Sequence, residues 1–205
     1  GCISTVVTNS TALAKADYIL LEGGVNDAWN NAPVGTLTDG FAAAYDETTM
    51  TGALEKMLDD LATNYSDKCV AYVFPHGGMF AGSENWYKTY KPAILAALKK
   101  WGVPYVDIAE TTPPMGKHGV SELGDKYTSD GTHPNAAGYE RFYAEPIAAL
   151  LKRMAGLFRG VRDYIIDKDG QEAADKAIPS WTMDWLQEDT AAEAAKTADI
   201  PAFTE

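Results

Sequence analysis

Cysteine is scarce in this sequence, with Cys2 and Cys69 the two that occur among 205 residues. Two thiols cannot build a disulfide framework, and neither belongs to a CxxC or Cys/His pattern with the spacing of a zinc site. Cys69 lies in an apolar run typical of a β-strand, so we interpret it as a structural residue. Other side chains are therefore the candidates for chemistry.

Basic residues are also few. The chain has 17 lysines and arginines against 29 aspartates and glutamates, which gives a formal net charge of −12 at pH 7. Nucleic acid and anionic membranes would be repelled, because binding to them depends on basic side chains that displace their counterions. The composition favours a neutral or cationic small molecule as the partner.

Long apolar runs are absent as well. No stretch is long enough to span a bilayer, and the first residues lack the charged-then-apolar order of a signal peptide. These absences predict a soluble protein, either cytoplasmic or secreted. Gly1-Cys2 would suit a processed lipoprotein, whereas Gly1 would equally suit the remnant of an expression tag, so the sequence leaves the compartment open.

Short apolar runs alternate with segments of helical periodicity. The runs predict three buried strands, at Asp17–Glu22, Cys69–Phe74 and Val103–Ile108. Apolar residues at helical spacing predict amphipathic helices over Thr48–Asn64, from Pro92 to Trp101 and from Asn135 to Met154. This alternation indicates an α/β fold with a parallel sheet, in which chemistry gathers at the carboxyl ends of the strands.

The composition changes after about residue 156. Between Val161 and Glu205 there are 11 acidic and four basic residues, and Trp181 and Trp185 are the main apolar side chains. We therefore predict one α/β domain over residues 1–155 and an acidic appendage over residues 156–205.

Two short segments can carry chemistry. Gly24-Val25-Asn26-Asp27 follows the first predicted strand, so the amide of Asn26 would project at a strand end. Asp130 precedes His133 by three residues in a predicted loop, where a carboxylate can fix the tautomer of the ring and leave its other nitrogen as a general base. Each segment taken alone is equally typical of an ordinary turn or helix cap.

Together, the two segments resemble signature blocks of the SGNH, or GDSL-type, family of hydrolases. The resemblance covers roughly Ala16 to Leu151. It implies a three-layer sandwich with a flavodoxin-like parallel sheet, in which His133 is the base, Asp130 orients it and Asn26 donates to the oxyanion. It also implies an ester hydrolase that forms an acyl-enzyme and needs neither a metal nor an organic cofactor.

Three further residues are candidates for substrate binding. Gly24 precedes Asn26 by two residues and belongs to the same segment. Trp29 would form the rim of a pocket or, alternatively, cover the core. His76 follows a predicted strand and would border the cleft, although an exposed loop histidine without a role fits the sequence equally well.

The resemblance is incomplete at the nucleophile. Members of the family carry a Gly-Asp-Ser block after their first strand, and no Gly-Asp-Ser occurs in these 205 residues. Ser4 and Ser10 are the nearest serines, but neither follows an aspartate in a strand-to-helix turn, so no nucleophile is assigned. In the family's sheet the missing strand would lie beside Asp17–Glu22. We therefore expect a segment ahead of Gly1, a rearranged amino terminus or a second chain to supply it.

By analogy with the family, acetylated carbohydrate is the first expected substrate, followed by short-chain acyl esters or lipids. An inactive family member that binds carbohydrate or another protein is the alternative. The missing Gly-Asp-Ser block favours this alternative, and the retention of Asn26, Asp130 and His133 opposes it. A flavin-binding protein of flavodoxin type is disfavoured, because no phosphate-binding loop is evident.

Overall fold

The computed structural model describes residues 10–41, 44–66, 68–77, 83–111 and 122–177. The chain divides into two compact units, Gly1–Ile147 and Ala148–Glu205. Most of the predicted appendage, including Trp181 and Trp185, lies outside the described residues. Its separability therefore stays a prediction.

The first unit is built on a parallel sheet, as the sequence predicted. Its strands are β1 (Tyr18–Leu21), β2 (Cys69–Phe74) and β3 (Tyr105–Asp107), in the order β1-β2-β3. Tyr18 pairs with Cys69, and Tyr72 pairs with Tyr105. β2 is the central strand and is nearly all buried, which explains its continuous apolar sequence.

Helices connect and follow the strands. Those of the first unit are α1 (Ser10–Lys15), α2 (Val25–Trp29), α3 (Met50–Asn64), α4 (Lys91–Trp101), α5 (Ile108–Thr111) and α6 (Glu122–Tyr127). The chain then forms α7 (Ala144–Asp169) and α8 (Gln171–Ala177). Short α-helical turns at Ser83–Asn85 and Ala136–Gly138 and π-helical turns at Trp86–Tyr90 and Tyr139–Tyr143 precede α4 and α7.

The predicted helix starts follow from local chemistry. The hydroxyl of Thr49 accepts a hydrogen bond from the Gly52 N–H, so α3 begins one residue after this cap. Pro92 lies in the first turn of α4, directly after the π-helical turn Trp86–Tyr90. Asn135 caps the helical segment that leads to α7, because its side-chain oxygen accepts from the Gly138 N–H at 3.0 Å.

The core of the first unit lies between the sheet and its helices. The largest fully buried side chains are Trp86, Phe74, Leu61, Ile94, Leu98, Ile108, Glu55 and Thr51. A second, smaller cluster joins Val73 and Ile108 to Phe142 and Tyr143. None of the helices in the described part of the chain is long and apolar enough to cross a membrane.

The outer side of β1 has no strand partner among the described residues, because β1 pairs with β2 alone. Leu20, within β1, is 41% exposed. An edge of this kind presents backbone donors and acceptors that another strand can use. The expectation that a further segment or chain supplies that strand stays a prediction.

Glu55 lies at the centre of a hydrogen-bond network in the core. Its side chain is fully buried and accepts hydrogen bonds from the Thr38 N–H at 2.8 Å and the Trp101 indole N–H at 3.1 Å. The Lys100 ammonium donates to the same carboxylate and to the Thr38 carbonyl. Burial alone would raise the pKa of Glu55, but these hydrogen bonds outweigh it and lower the pKa below 4.5.

We expect Glu55→Gln to destabilise the first unit by about 1.5–3 kcal/mol at neutral pH, because the Lys100 ammonium, whose side chain is 17% exposed, then loses its charged hydrogen-bond partner. A carboxylate whose pKa is lowered by folding contributes stability above its unfolded pKa and loses it as the pH falls through its folded pKa. The difference between wild type and Glu55→Gln should therefore shrink below about pH 4.5. Urea unfolding between about pH 3 and 8 measures this difference.

Glu84→Gln is the matched control. Glu84 pairs with Lys88, but the side chains are 81% and 71% exposed. Loss of such a solvated pair should change the free energy of unfolding little at any pH. Equal effects of the two substitutions would show that the Glu55 network does not stabilise the fold.

Candidate active site

Two of the candidate segments, which carry Asn26 and His76, follow neighbouring strands. Because β1 and β2 are parallel, their carboxyl ends meet at one edge of the sheet. Gly23 and Gly24 come after β1, and Pro75 and His76 come after β2. The segments that carry Asn26 and His76 therefore start from the same edge.

Gly24 is required by the turn into α2. Its φ is 84°, in the left-handed region, and a Cβ there would lie 2.5 Å from Cδ1 of Ile94 and 3.0 Å from Cζ3 of Trp86. The Tyr72 hydroxyl donates to the Gly23 carbonyl at 2.9 Å and holds the preceding residue. The structure thus gives Gly24 a packing role, and its place in substrate binding stays a prediction.

Asn26 lies in the first turn of α2 and is exposed. Its backbone carbonyl accepts from the Asn30 N–H at 3.0 Å and from Nδ2 of Asn30 at 2.8 Å. The side-chain amide of Asn26 has no hydrogen-bond partner within the part of the chain that the structure describes. The fold therefore fixes the backbone of Asn26 and leaves its N–H donors open to a ligand.

Asp130 and His133 form the predicted pair. Oδ2 of Asp130 lies 2.7 Å from Nδ1 of His133. Oδ1 of Asp130 accepts hydrogen bonds from the backbone N–H groups of Thr132 at 3.0 Å and His133 at 2.8 Å. Both oxygens of the carboxylate are therefore hydrogen-bonded. Nδ1–H then donates to Asp130, and Nε2 keeps a lone pair that can accept a proton.

The loop around this pair is closed by its own hydrogen bonds. Gly131 has a φ of 84°, and its N–H donates to the buried Thr128 hydroxyl at 2.9 Å. The Ser129 N–H donates to the His133 carbonyl at 2.8 Å. These bonds fix the direction in which the imidazole leaves the backbone.

The electrostatics of the pair suit a base. Hydrogen bonds from the His133 backbone, the His133 ring and the Thr132 backbone hold the pKa of Asp130 well below its usual range. Asp130 therefore stays ionised and can stabilise a positive charge on His133. The two side chains are 53% and 71% exposed, so the pair adds little to fold stability and leaves Nε2 accessible.

His76 is buried, which contradicts its interpretation as an exposed loop histidine. Its side chain is 3% exposed, and its backbone N–H donates to the Tyr143 hydroxyl at 3.1 Å. Nδ1 of His76 lies 2.9 Å from the same oxygen. Burial, and then the nearby His133, lower the pKa of His76, so the ring stays neutral at neutral pH.

Tyr143 is the residue of this region that sequence reasoning missed. It lies on the apolar face predicted for the last helix and is 4% exposed, in agreement with that prediction. A buried tyrosine nevertheless needs a partner for its hydroxyl, and this was the one signal in the sequence. The structure supplies His76 as that partner.

Trp29 ends α2 and is 51% exposed. The alternative in which it covers the core is therefore wrong. Its ring is three residues beyond Asn26 and open to solvent, and its role at the rim of a pocket stays a prediction.

The nucleophile stays unassigned. Cys69 starts β2, at the end of the strand opposite to the candidate site, and burial raises the pKa of its thiol to about 11. The Ser129 hydroxyl donates to the His133 carbonyl, and Ser10 begins α1. Ser4 lies outside the described residues. No group of three or more metal-ligating side chains occurs within the described ranges.

Comparisons with known proteins identify the family to which the chain belongs. The family model described as the GDSL-like Lipase/Acylhydrolase family matches residues 7–141, which include Asn26, His76, Asp130 and His133. A protein from Lactobacillus plantarum, with a crystal structure solved as a structural genomics target, is 26% identical and superposes with a TM-score of 0.51. The similarity covers 68% of this chain and 68% of that chain. No curated protein matches the sequence.

Proposed function

Because the chain belongs to the GDSL-like lipase/acylhydrolase family, a family of hydrolases, we propose that it hydrolyses carboxylic esters with His133 as the general base. The observation that carries the proposal is the 2.7 Å contact between Oδ2 of Asp130 and Nδ1 of His133. This contact leaves Nε2 to take a proton, and the imidazole is accessible to a substrate.

In the proposed reaction, Nε2 of His133 removes the proton from a serine hydroxyl as its oxygen attacks the ester carbonyl. The C=O π electrons move to oxygen, and the amide of Asn26 donates to the resulting oxyanion. The carbonyl reforms, the bond to the alcohol oxygen breaks, and Nε2 returns the proton to that oxygen. Water then repeats the sequence on the acyl-enzyme and releases the acid.

The charge of the pair supports this cycle. When His133 holds the proton it is cationic, and the ionised Asp130 lies 2.7 Å away to stabilise it. Since the pKa of Asp130 is held low, the carboxylate does not take the proton itself. The proton therefore stays on the imidazole, from which it can reach the leaving alcohol.

Acetylated carbohydrate is the proposed substrate, with short-chain acyl esters as the next choice. Trp29, exposed at the end of the helix that carries Asn26, supports this choice, because aromatic faces pack against the apolar faces of sugar rings. The net charge of −12 is also compatible with a neutral substrate.

A second candidate function is binding without hydrolysis. It is favoured by the absence of a Gly-Asp-Ser sequence from the 205 residues. In this case the amide of Asn26 and the imidazole of His133 would bind an acylated ligand, and no covalent step would follow.

Two measurements separate these functions. We expect an aryl acetate to be hydrolysed by a protein extended upstream through the open reading frame, and only slowly by the 205-residue chain. A fluorophosphonate that labels activated serines should modify the active form, and mass spectrometry of its peptides identifies the nucleophile. Rapid hydrolysis by this chain with a label on Ser4 or Ser10 would instead place the nucleophile within the 205 residues. If neither protein hydrolyses the ester or takes the label, the binding function stands.

A further inference from the structure

The tautomer of His76 follows from a count of hydrogen bonds. The Tyr143 oxygen accepts the backbone N–H of His76 and also contacts Nδ1 of the ring. Burial, followed by nearby Glu22, Tyr139 and Tyr87, raises the pKa of Tyr143, so its hydroxyl keeps its proton. That proton needs an acceptor, and Nδ1 of His76 is the acceptor in contact with it.

The alternative tautomer leaves more groups unpaired. If Nδ1 carried the proton, both the Tyr143 hydroxyl proton and the Nε2 lone pair would lack partners among the described residues. With the proton on Nε2, a single donor is left over. Because each unpaired buried polar group destabilises the folded protein, the Nε2–H tautomer is favoured.

The unpaired Nε2–H group of His76 has a fixed position. His76 is 3% exposed, and Nε2 is buried without a hydrogen-bond partner in the part of the chain that the structure describes. The ring is fixed by Tyr143, whose own ring meets it edge-on with centroids 6.1 Å apart. A buried donor without a partner is rare in folded proteins and calls for a partner such as a bound water or a ligand atom.

The donor also lies at the candidate active site. His76 follows β2 at the end of the sheet from which the Asn26 segment starts, and burial and then His133 lower the pKa of His76. A neutral N–H beside the base cannot compete with it for protons, but it can bind an oxygen atom.

We propose that His76 is a specificity-determining residue whose Nε2–H binds an acceptor oxygen that the substrate carries in addition to the atoms of its scissile ester group. This inference rests on the proposed function. The substrate class it selects is esters with an ether, hydroxyl or carbonyl oxygen in the alcohol or acyl part, in preference to plain alkyl esters. Tyr143 acts as its positioning residue, because it holds the ring and fixes the tautomer.

Matched esters test the proposal. Butyl acetate and 2-methoxyethyl acetate differ by the exchange of a methylene for an oxygen in the alcohol, and methyl butanoate and methyl methoxyacetate differ in the same way in the acyl group. In one of the two pairs, we expect wild type to hydrolyse the oxygen-bearing ester with a kcat/KM that is roughly tenfold to a hundredfold higher. The ratio of the two kcat/KM values is first divided by the ratio of the rates of alkaline hydrolysis, because this removes the difference in intrinsic reactivity between the esters. No preference in either pair would overturn the proposal.

Three variants assign the preference to the side chain. His76→Leu should abolish it, and His76→Gln, which keeps an N–H donor, should retain part of it. Tyr143→Phe should weaken it without removing the imidazole. An undiminished preference in His76→Leu would also overturn the proposal, and if this variant does not fold, the other two decide.

A second readout needs no hydrolysis. In 15N NMR spectra of the wild-type chain, His76 should carry its proton on Nε2, and Tyr143→Phe should reduce the population of this tautomer. If no ester is hydrolysed, the proposed function fails, and each ester can then be titrated as an intact ligand. A shift of the Nε2–H signal with an oxygen-bearing ester but not with its hydrocarbon partner supports the inference. An equal response to both, or a proton on Nδ1, contradicts it.

Discussion

Replacing His133 by alanine should lower kcat for aryl acetate hydrolysis by roughly 10⁴-fold in the active form of the protein. The His133 imidazole is the proposed base, and its Nδ1 lies 2.7 Å from Oδ2 of Asp130. No other described histidine is paired with a carboxylate in this way. KM should change much less, because the proton transfer contributes in the transition state rather than in substrate binding. Stopped-flow or steady-state assays with aryl acetate measure both constants.

The fold should survive this substitution. The His133 side chain is 71% exposed, so its removal creates no cavity, and the melting temperature should change little. His118→Ala is the matched control, since it removes the remaining histidine for which the sequence gives no role. Activity retained in His133→Ala and lost in His118→Ala would refute the assignment of the base.

Replacing Asn26 by alanine should lower kcat by roughly a hundredfold to a thousandfold. The amide of Asn26 has no partner among the described residues, so a substrate oxyanion is the acceptor we expect it to meet. Asn26→Asp, which keeps the size of the side chain but replaces the donor with a carboxylate, should lower kcat further because its charge repels the oxyanion. The expected signature is a lower kcat at a nearly constant KM.

Asn30→Ala supplies the comparison for Asn26. Asn30 lies just after the same helix and donates to the Asn26 backbone carbonyl at 2.8 Å, but no catalytic role is proposed for it. Its loss should leave kcat within a few-fold of wild type. If Asn26→Ala and Asn30→Ala reduce kcat equally, the effect belongs to the helix rather than to an oxyanion contact.

Strands and helices were predictable where the sequence pattern is local. β2 has the predicted ends, Cys69 and Phe74, because its whole run is buried and apolar. β1 and β3 are shorter than predicted by one or two residues at each end, and Ile108, predicted to end the third strand, instead begins α5. The π-helical turns at Trp86–Tyr90 and Tyr139–Tyr143 were missed, since the wider hydrogen-bond spacing of a π-turn leaves no simple mark on apolar periodicity.

The candidate site likewise combines a local contact that the sequence predicts with long-range contacts that it does not. Asp130 and His133 are three residues apart, so their hydrogen bond could be predicted from the loop sequence. The contact between His76 and Tyr143 joins residues 67 positions apart, and no local pattern indicates it. Glu55, predicted only as part of a helix, is a core residue because Thr38, Lys100 and Trp101 converge on it from other segments.

Local hydrogen bonds shape the loop that holds Asp130 and His133. The hydrogen bonds that shape it join residues between Gly124 and Gly138, including those from Nδ2 of Asn135 to the Lys126 carbonyl and from Thr128 to the Gly124 carbonyl. None of these bonds involves the sheet. We therefore expect substitutions in the core that do not contact Tyr127 or Thr128 to change the thermal stability of the protein more than the orientation of the imidazole. Core variants should then differ in how much folded protein a cell accumulates, while each folded molecule works at the same rate.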